Sequence, residues 1–283
     1  MRNIRLTIEF DGSDFFGWQF QPNRPTIQAA LQSAVERVTK EKAVVYGCSR
    51  TDSGVSARNY VANFHTDSRL PVRRIPVAIN ANLPATICVK SAEDVGPEFH
   101  ARFSARGKTY EYLVVMGRSP LRRAHAWELY PPADPARMAR ALRLFSGERD
   151  FRAFCHLKAA DSSRLAAHGR DRFPVAGDCH PVSAEETGGC TSLPRPYAKT
   201  PAPSSAFCTL TRASLAKDGD EILVTIRGNR FLYKMVRRIV GAAVTYGAAG
   251  ITLADIRAAL AGREHQPFQT APASGLILDS VRY

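Results

Sequence analysis

The sequence predicts an α+β protein built on a mixed sheet. Some segments carry an apolar residue at every second position, as half-buried strands do, whereas others space apolar residues three and four apart, as amphipathic helices do. The two kinds of segment mix along the whole 283-residue chain, and 45% of its residues are hydrophobic. A chain of this length and composition can bury a large core, and this mixing of elements is typical of α+β folds.

The first 40 residues predict a strand and then a helix. A turn signal at Asp11-Gly12 follows a strand whose apolar residues occupy alternate positions: Ile4, Leu6, Ile8 and Phe10. After Pro25, Thr26 can cap a helix whose apolar residues recur at helical spacing as far as Val38.

The middle of the chain predicts strands on either side of a polar loop. Strands are expected at residues 43–46 and 60–64, so the loop at 47–57 joins two extended segments of a sheet. The elements expected next are a helix at 72–80 and strands at 87–89 and 109–116.

The last part of the chain repeats this mixture. Asp134-Pro135 supplies an N-cap and a first helical residue, and Ser146-Gly147 ends that helix. Thr252 and Asp255 form a variant of the capping box that opens a helix running to Leu260. The remaining expected elements are a strand at 222–226, a helix at 231–244 and a closing strand at 276–281.

Residues 156–206 interrupt the pattern. They hold six of the 18 prolines and show little periodicity, so we expect a long loop or a disordered insertion. Six basic and five acidic residues leave this segment with one of the thirteen net positive charges. The basic surface therefore belongs to the rest of the chain.

The charge and cysteine content narrow the class of protein. A net charge of +13 and a pI of about 9.8 favour a polyanionic partner, most often nucleic acid, although a charged surface that only aids solubility is the plainer alternative. The N-terminus lacks the apolar core of a signal peptide, and the longest uncharged run, 239–254, has 16 residues, so we expect a cytoplasmic protein without a membrane span. Six cysteines without a CxxC pair indicate reduced thiols.

The loop GCSRTDSGVSA at 47–57 holds the sharpest candidate for chemistry. A carboxylate such as Asp52, on a short loop beside an arginine, can stay ionised and act as a nucleophile or base, and Arg50 can pair with phosphate. From spacing alone, the alternative that Arg50 and Asp52 merely stabilise a turn stays open.

This loop resembles the GxGRTDAGVHA signature of the TruA family of tRNA pseudouridine synthases. Further blocks resemble that family in the expected order and cover almost the whole chain apart from 156–206: FDGSDFFGWQFQP at 10–22, NANLP at 80–84, FHARFSARGKTYEYLV at 99–114, NRFLYKMVRRIVG at 229–241 and TAPASGLIL at 270–278. Where the family usually has alanine and histidine, this loop has Ser53 and Ser56.

The resemblance implies a pseudouridine synthase fold of two similar halves, with antiparallel or mixed sheets flanked by helices and a central basic cleft. We expect an N-terminal half at 1–104 that carries the catalytic loop, and a C-terminal half at 105–283 that contains the insertion. The implied enzyme is a homodimer that isomerises uridine at positions 38, 39 or 40 in the anticodon stem-loop of tRNA. It uses an aspartate nucleophile and neither metal nor other cofactor.

The resemblance also assigns roles to residues. Asp52 corresponds to the nucleophile, which attacks either C1′ of the ribose or C6 of the base; Tyr110 corresponds to the tyrosine that stacks on the flipped base; Arg237 corresponds to the arginine that pairs with the aspartate. The implied substrate-binding residues are Arg50, Leu276, His100 and Arg102.

Three alternatives remain at this point. A catalytically silent tRNA-binding protein would share the fold and the charge. A metal-dependent nuclease could use the carboxylates of Glu9, Asp11 and Asp14. A zinc site within or near the insertion would draw on Cys155, His156, His168, Cys179, His180 and Cys190, although their spacing matches no common zinc motif.

Overall fold

A ten-stranded mixed sheet runs through the described part of the computed structural model, which comprises residues 1–156 and 206–283. Apart from its two end residues, the expected insertion at 156–206 lies outside the described residues. The strands are β1 (Arg2–Phe10), β2 (Tyr46–Gly47), β3 (Ser56–Thr66), β4 (Ile87–Val95), β5 (Gly107–Met116), β6 (Trp127–Leu129), β7 (Gly147–Asp150), β8 (Phe207–Asp218), β9 (Glu221–Gly228) and β10 (Leu276–Arg282). The helices are α1 (Ile27–Thr39), α2 (Ile75–Asn80), α3 (Pro135–Arg143), α4 (Met235–Gly247) and α5 (Leu253–Leu260).

The helix-start signals read from the sequence are confirmed. The side chain of Thr26 accepts a hydrogen bond from the backbone N–H of Ala29 at the start of α1, and Asp134 caps α3 in the same way. Thr252 and Asp255 form a complete capping box at the start of α5. These caps satisfy backbone donors that the first turn of a helix leaves unpaired.

The strand order is β4-β1-β3-β10-β5-β9-β8-β7, with β2 paired to β3 and β6 paired to β5. The last strand, β10, lies at the centre, parallel to β3 and antiparallel to β5. Strands from both sides of residue 104 therefore meet in one sheet through β10. The division of the chain into halves at that residue stays a prediction.

Several expected elements have wrong boundaries: β3 and β4, for example, extend beyond the expected 60–64 and 87–89. The strand expected at 43–46 is reduced to β2, because the side-chain amide of Gln28 in α1 donates to the carbonyl of Val45 at 3.0 Å and takes an acceptor that a strand ladder would use. The helix expected to begin at Phe231 begins at Met235, since Lys234 adopts a left-handed conformation with φ of 60°. Strands β6, β7 and β8 had no clear signal in the sequence.

The buried core continues beneath the loop at 47–57. Trp18 and Tyr60 are almost fully buried and stack with ring centroids 4.3 Å apart. The Tyr60 hydroxyl donates a hydrogen bond to the carbonyl of Ser49. The candidate catalytic loop thus rests on packed aromatic rings. No helix within residues 1–156 or 206–283 has both the length and the apolar character needed to cross a bilayer.

Candidate active site

The centre of the site is an ion pair between the loop and helix α4. Arg237, in the first turn of α4, donates from Nη1 to Asp52 Oδ2 at 2.7 Å, and each side chain is only 15% exposed. The Nε of the same arginine donates to the carbonyl of Ala271 at 2.7 Å. One guanidinium therefore fixes the carboxylate and the segment before β10 together, through charge-assisted hydrogen bonds that are stronger than neutral ones. Among the described residues, Asp52 Oδ1 has no hydrogen-bond partner, so one oxygen is held and the other is available to react.

The loop is braced by the segment that follows β1. The backbone N–H of Trp18 donates to the carbonyl of Thr51 at 3.3 Å, and that of Gly54 donates to the carbonyl of Phe15 at 3.2 Å. Gly17 has φ of 82°, and a Cβ added there would lie 2.4 Å from the oxygen of Thr51. Because no other residue tolerates both that conformation and that approach, glycine at 17 permits the brace.

The two serines that depart from the family pattern have structural partners. Ser53 Oγ donates to the carbonyl of Phe15 at 3.2 Å. Ser56 Oγ accepts from the backbone N–H of Gly12 at 3.0 Å and donates to Asp11 Oδ1 at 3.4 Å. Both hydroxyls therefore help to tie the loop to the segment after β1.

Tyr110 lies on β5, with its residue only 7% exposed. Its ring meets the ring of Phe231 edge-on, with centroids 4.8 Å apart and an interplanar angle of 73°. Burial raises the pKa of Tyr110, and the charges of Cys48 and Asp52 act in the same direction, against a hydrogen bond with Ser49. The phenol therefore stays protonated near neutral pH and can donate a hydrogen bond or stack on a base, but it is a poor proton acceptor.

Leu276 opens β10 opposite Tyr112 in the ladder and is 6% exposed. The Tyr112 hydroxyl donates to the carbonyl of Pro272 at 2.8 Å, which holds the segment before β10 against β5. This segment also carries the Ala271 carbonyl that binds Arg237. Leu276 is therefore part of a packed wall beside the ion pair.

The other expected substrate-binding residues lie further out. Arg50 is exposed on the candidate catalytic loop. His100 and Arg102 lie half-buried in the connection between β4 and β5, where His100 Nδ1 accepts from the backbone N–H of Arg102 at 3.1 Å. Burial lowers the pKa of His100, with the charge of Arg102 adding to the effect. The structure thus brings Asp52, Arg237 and Tyr110 together at the centre.

Sequence reasoning missed three contributors to the site. Phe231 lies outside α4, which begins four residues later than expected, and its ring contacts that of Tyr110. The carbonyl of Ala271 had no signal, since any residue supplies a backbone acceptor. Lys108 had a signal that went unused, because it precedes Tyr110 by two positions on β5 and alternation directs both side chains to one face of the strand.

The carboxylates of the nuclease alternative do not converge. Glu9 pairs with Lys90 at 3.3 Å, whereas Asp11 accepts from Ser13 and lies 3.6 Å from His125. Within residues 1–156 and 206–283, no three His, Cys, Asp or Glu side chains are grouped as a metal ion requires. Of the zinc candidates, the structure describes Cys155 and His156, and the other four lie outside the described residues.

Comparison with known proteins identifies the family. A sequence model of the family described as tRNA pseudouridine synthase matches residues 6–104 and 196–283. The chain is 35% identical to "tRNA pseudouridine synthase A" of Ruminiclostridium cellulolyticum over 100% of both chains. It is 34% identical to the protein of the same name from Halalkalibacterium halodurans, over 98% of this chain and 91% of that protein.

A more distant likeness links the chain to a solved structure, the crystal structure of a Cbf5-Nop10-Gar1 complex. That chain is 12% identical with a TM-score of 0.32, and the match covers 97% of this chain and 57% of the other. The assignment depends on the sequence matches instead, which extend across the loop at 47–57 and across both segments that hold Arg237 and Leu276. This chain belongs to the tRNA pseudouridine synthase family.

Proposed function

We propose that the protein converts uridine to pseudouridine at positions 38, 39 or 40 in the anticodon stem-loop of tRNA, with Asp52 as the nucleophile. Family membership supports the reaction class. The observation that carries the role of Asp52 is its pairing through one oxygen with Arg237, while the other oxygen is unpaired among the described residues. The loop is braced on both sides of Asp52, at Thr51 and Gly54.

The reaction rearranges bonds within one nucleotide. Asp52 forms a bond to C1′ of the ribose or to C6 of the base, the bond between N1 and C1′ breaks, and the uracil turns. C5 then bonds to C1′, and the bond to Asp52 breaks so that the carboxylate is regenerated. The C5 proton leaves and N1 gains a proton, so atoms and electrons balance without a cofactor. Tyr110 stacks on the uracil and offers a protonated hydroxyl, while Arg237 keeps the carboxylate oriented through both steps.

The target uridine must leave its stack to reach a carboxylate that is 15% exposed. The exposed guanidinium of Arg50, on the same loop, is suited to hold the displaced backbone or to fill the vacated space. We further propose, from the family resemblance, that the enzyme acts as a cytoplasmic homodimer without a metal or other cofactor.

Tritium release from tRNA labelled at C5 of uridine tests the reaction, in EDTA and with the product mapped by nucleotide position. The isosteric variant Asp52→Asn should abolish release while it keeps tRNA affinity within a few-fold of the wild type. Asp14→Asn, an exposed carboxylate nearby and a member of the nuclease alternative, is the matched control and should be fully active.

Each outcome is decisive. Release by the wild type and Asp14→Asn alone, mapped to positions 38–40, supports the proposal. Release by Asp52→Asn at the wild-type rate would exclude Asp52 as the nucleophile. A folded wild type that binds tRNA without release would instead support the catalytically silent alternative.

A further inference from the structure

A group of aromatic and basic side chains beside the catalytic loop has no part in the mechanism above. We call it the aromatic–basic patch and define it as Tyr46, His100, Arg102, Phe103 and Lys108. Phe103 is 70% exposed, which is unusual for so large an apolar side chain. Its ring lies 4.5 Å from that of His100, which lies 5.0 Å from that of Tyr46. The patch therefore presents an exposed ring backed by two further rings.

The charges of the patch are arranged around this exposed ring. The guanidinium carbon of Arg102 lies 5.7 Å from the centre of the Phe103 ring. Lys108 is half-buried, yet no carboxylate among the described residues forms an ion pair with it. Burial lowers the pKa of Lys108, and the charge of Arg102 acts in the same direction. An anion bound here would relieve this unfavourable environment.

The patch is joined to the catalytic centre through two strands. Tyr46 lies in β2, which leads directly into the loop that carries Asp52. Lys108 lies near Cys48 of that loop and two positions before Tyr110 on β5. An RNA strand whose target nucleotide is held at Asp52 would therefore bring a neighbouring nucleotide to the patch.

We propose that the aromatic–basic patch is a subsite for an unpaired nucleotide of the RNA substrate next to the isomerised uridine. Its base stacks on Phe103, supported by His100, and its phosphate is held by Lys108 and Arg102. Aromatic rings interleaved with basic side chains are the common means of binding single-stranded RNA, since every base has a face that can stack. This assignment rests on the proposed function and adds Phe103 and Lys108 to its substrate contacts.

Affinity for the tRNA anticodon stem-loop, measured over a series of salt concentrations, tests the subsite. Phe103→Leu should weaken binding by roughly tenfold, the loss expected for one stacked base, whereas Phe103→Trp should retain it. Lys108→Met should reduce the slope of log affinity against log salt by about one, the effect of one lost phosphate contact, and Lys108→Arg should restore that slope.

Two matched controls lie beside the Val114–Met116 end of β5, whereas Lys108 lies near the other end of that strand. Tyr130→Leu removes an aromatic ring that is 87% exposed beyond β6, and Lys217→Met removes a cation at the end of β8. Both should bind RNA as the wild type does, and thermal unfolding should show that every variant is folded.

Wild-type affinity in Phe103→Leu, or a loss no larger than that of Tyr130→Leu, would overturn the stacking role. An unchanged salt slope in Lys108→Met would overturn the phosphate contact. The binding comparison does not depend on turnover, so it judges the subsite separately; failure of the wild type to form pseudouridine would refute the proposed function instead.

Discussion

At the scale of single residues, the site depends on what one guanidinium can reach. Arg237 uses two different nitrogens for Asp52 and for the carbonyl of Ala271. A lysine ammonium has one nitrogen at the end of a flexible stem and does not reproduce this rigid fork. The identity of the residue, and not only its charge, therefore orients the carboxylate.

Arg237→Lys should lower kcat by about ten- to hundredfold with a small change in tRNA affinity, because a charge-assisted hydrogen bond contributes about 1.5–3 kcal/mol. Single-turnover kinetics with saturating tRNA and a separate binding measurement distinguish the two effects. Arg73→Lys, an exposed arginine on the turn before α2, is the control and should behave as the wild type. An unchanged kcat in Arg237→Lys would mean that holding Asp52 and the Ala271 carbonyl with two different nitrogens is not needed for the reaction.

Three tyrosines that are buried or half-buried give the folding equilibrium a predictable response to alkali. Burial raises the pKa of Tyr110, Tyr112 and Tyr283 above the ordinary value of 10.0. In the unfolded chain they lose their protons near pH 10, whereas the folded protein keeps them. The free energy of unfolding should therefore be fully retained below about pH 10 and fall as the pH rises further.

Urea unfolding at a series of pH values checks this response. Each tyrosine should contribute up to about 1.4 kcal/mol per pH unit above pH 10, so Tyr110→Phe should make the decline shallower by about that amount. Phenolate absorbance of the folded protein that rises fully at pH 10 would contradict the prediction.

At the scale of elements, the candidate catalytic loop is positioned by its neighbours. The segment after β1 supplies backbone hydrogen bonds, Trp18 and Tyr60 form the floor, and helix α4 supplies the arginine. Two of the hydrogen bonds to the segment after β1 are made by the residues on either side of Asp52, Thr51 and Ser53. A small displacement of the brace should therefore move the carboxylate.

Gly17→Ala should destabilise the fold by about 1–3 kcal/mol and lower kcat, because the added methyl would overlap the Thr51 oxygen at a positive φ. Gly219→Ala is the matched control: its φ is also positive, at 55°, but a Cβ there meets nothing within 4 Å. Thermal unfolding and turnover of the two variants separate backbone strain from the lost brace. Equal behaviour of both variants would mean that the close approach at Gly17 has no special effect.

At the scale of the whole molecule, β10 joins the two parts of the sheet by pairing with β3 and β5. The central strand contacts β3, which follows the catalytic loop, and β5, which carries Tyr110. The net charge of the chain is +13, and so basic a balance favours a polyanionic partner such as RNA. Binding of RNA through phosphates releases condensed counterions, so it should depend steeply on salt.

The affinity for tRNA should fall by at least about tenfold between 50 and 200 mM salt. Filter binding over this range measures the slope, and DNA of the same length shows how much of it is general electrostatics. A flat response would contradict a basic RNA-binding surface.

Local patterns in the sequence were sufficient to predict the fold class, most of the elements and the candidate residues of the site. Periodicity and capping are local properties, so β1, α1, α3 and α5 could be predicted from neighbouring residues alone. The motif blocks identified Asp52, Tyr110 and Arg237 by resemblance. Strand β8 was missed because its buried positions alternate only weakly.

Which of these residues come into contact depends on tertiary packing. Asp52 and Arg237 are 185 positions apart, and their contact depends on how α4 packs beside the loop. The strand expected at 43–46 is shortened because Gln28 of α1 binds the carbonyl of Val45. Phe231 lies outside the helix expected to contain it and contacts Tyr110. Packing between distant segments selects such contacts by shape and hydrogen bonding, and no local pattern encodes them.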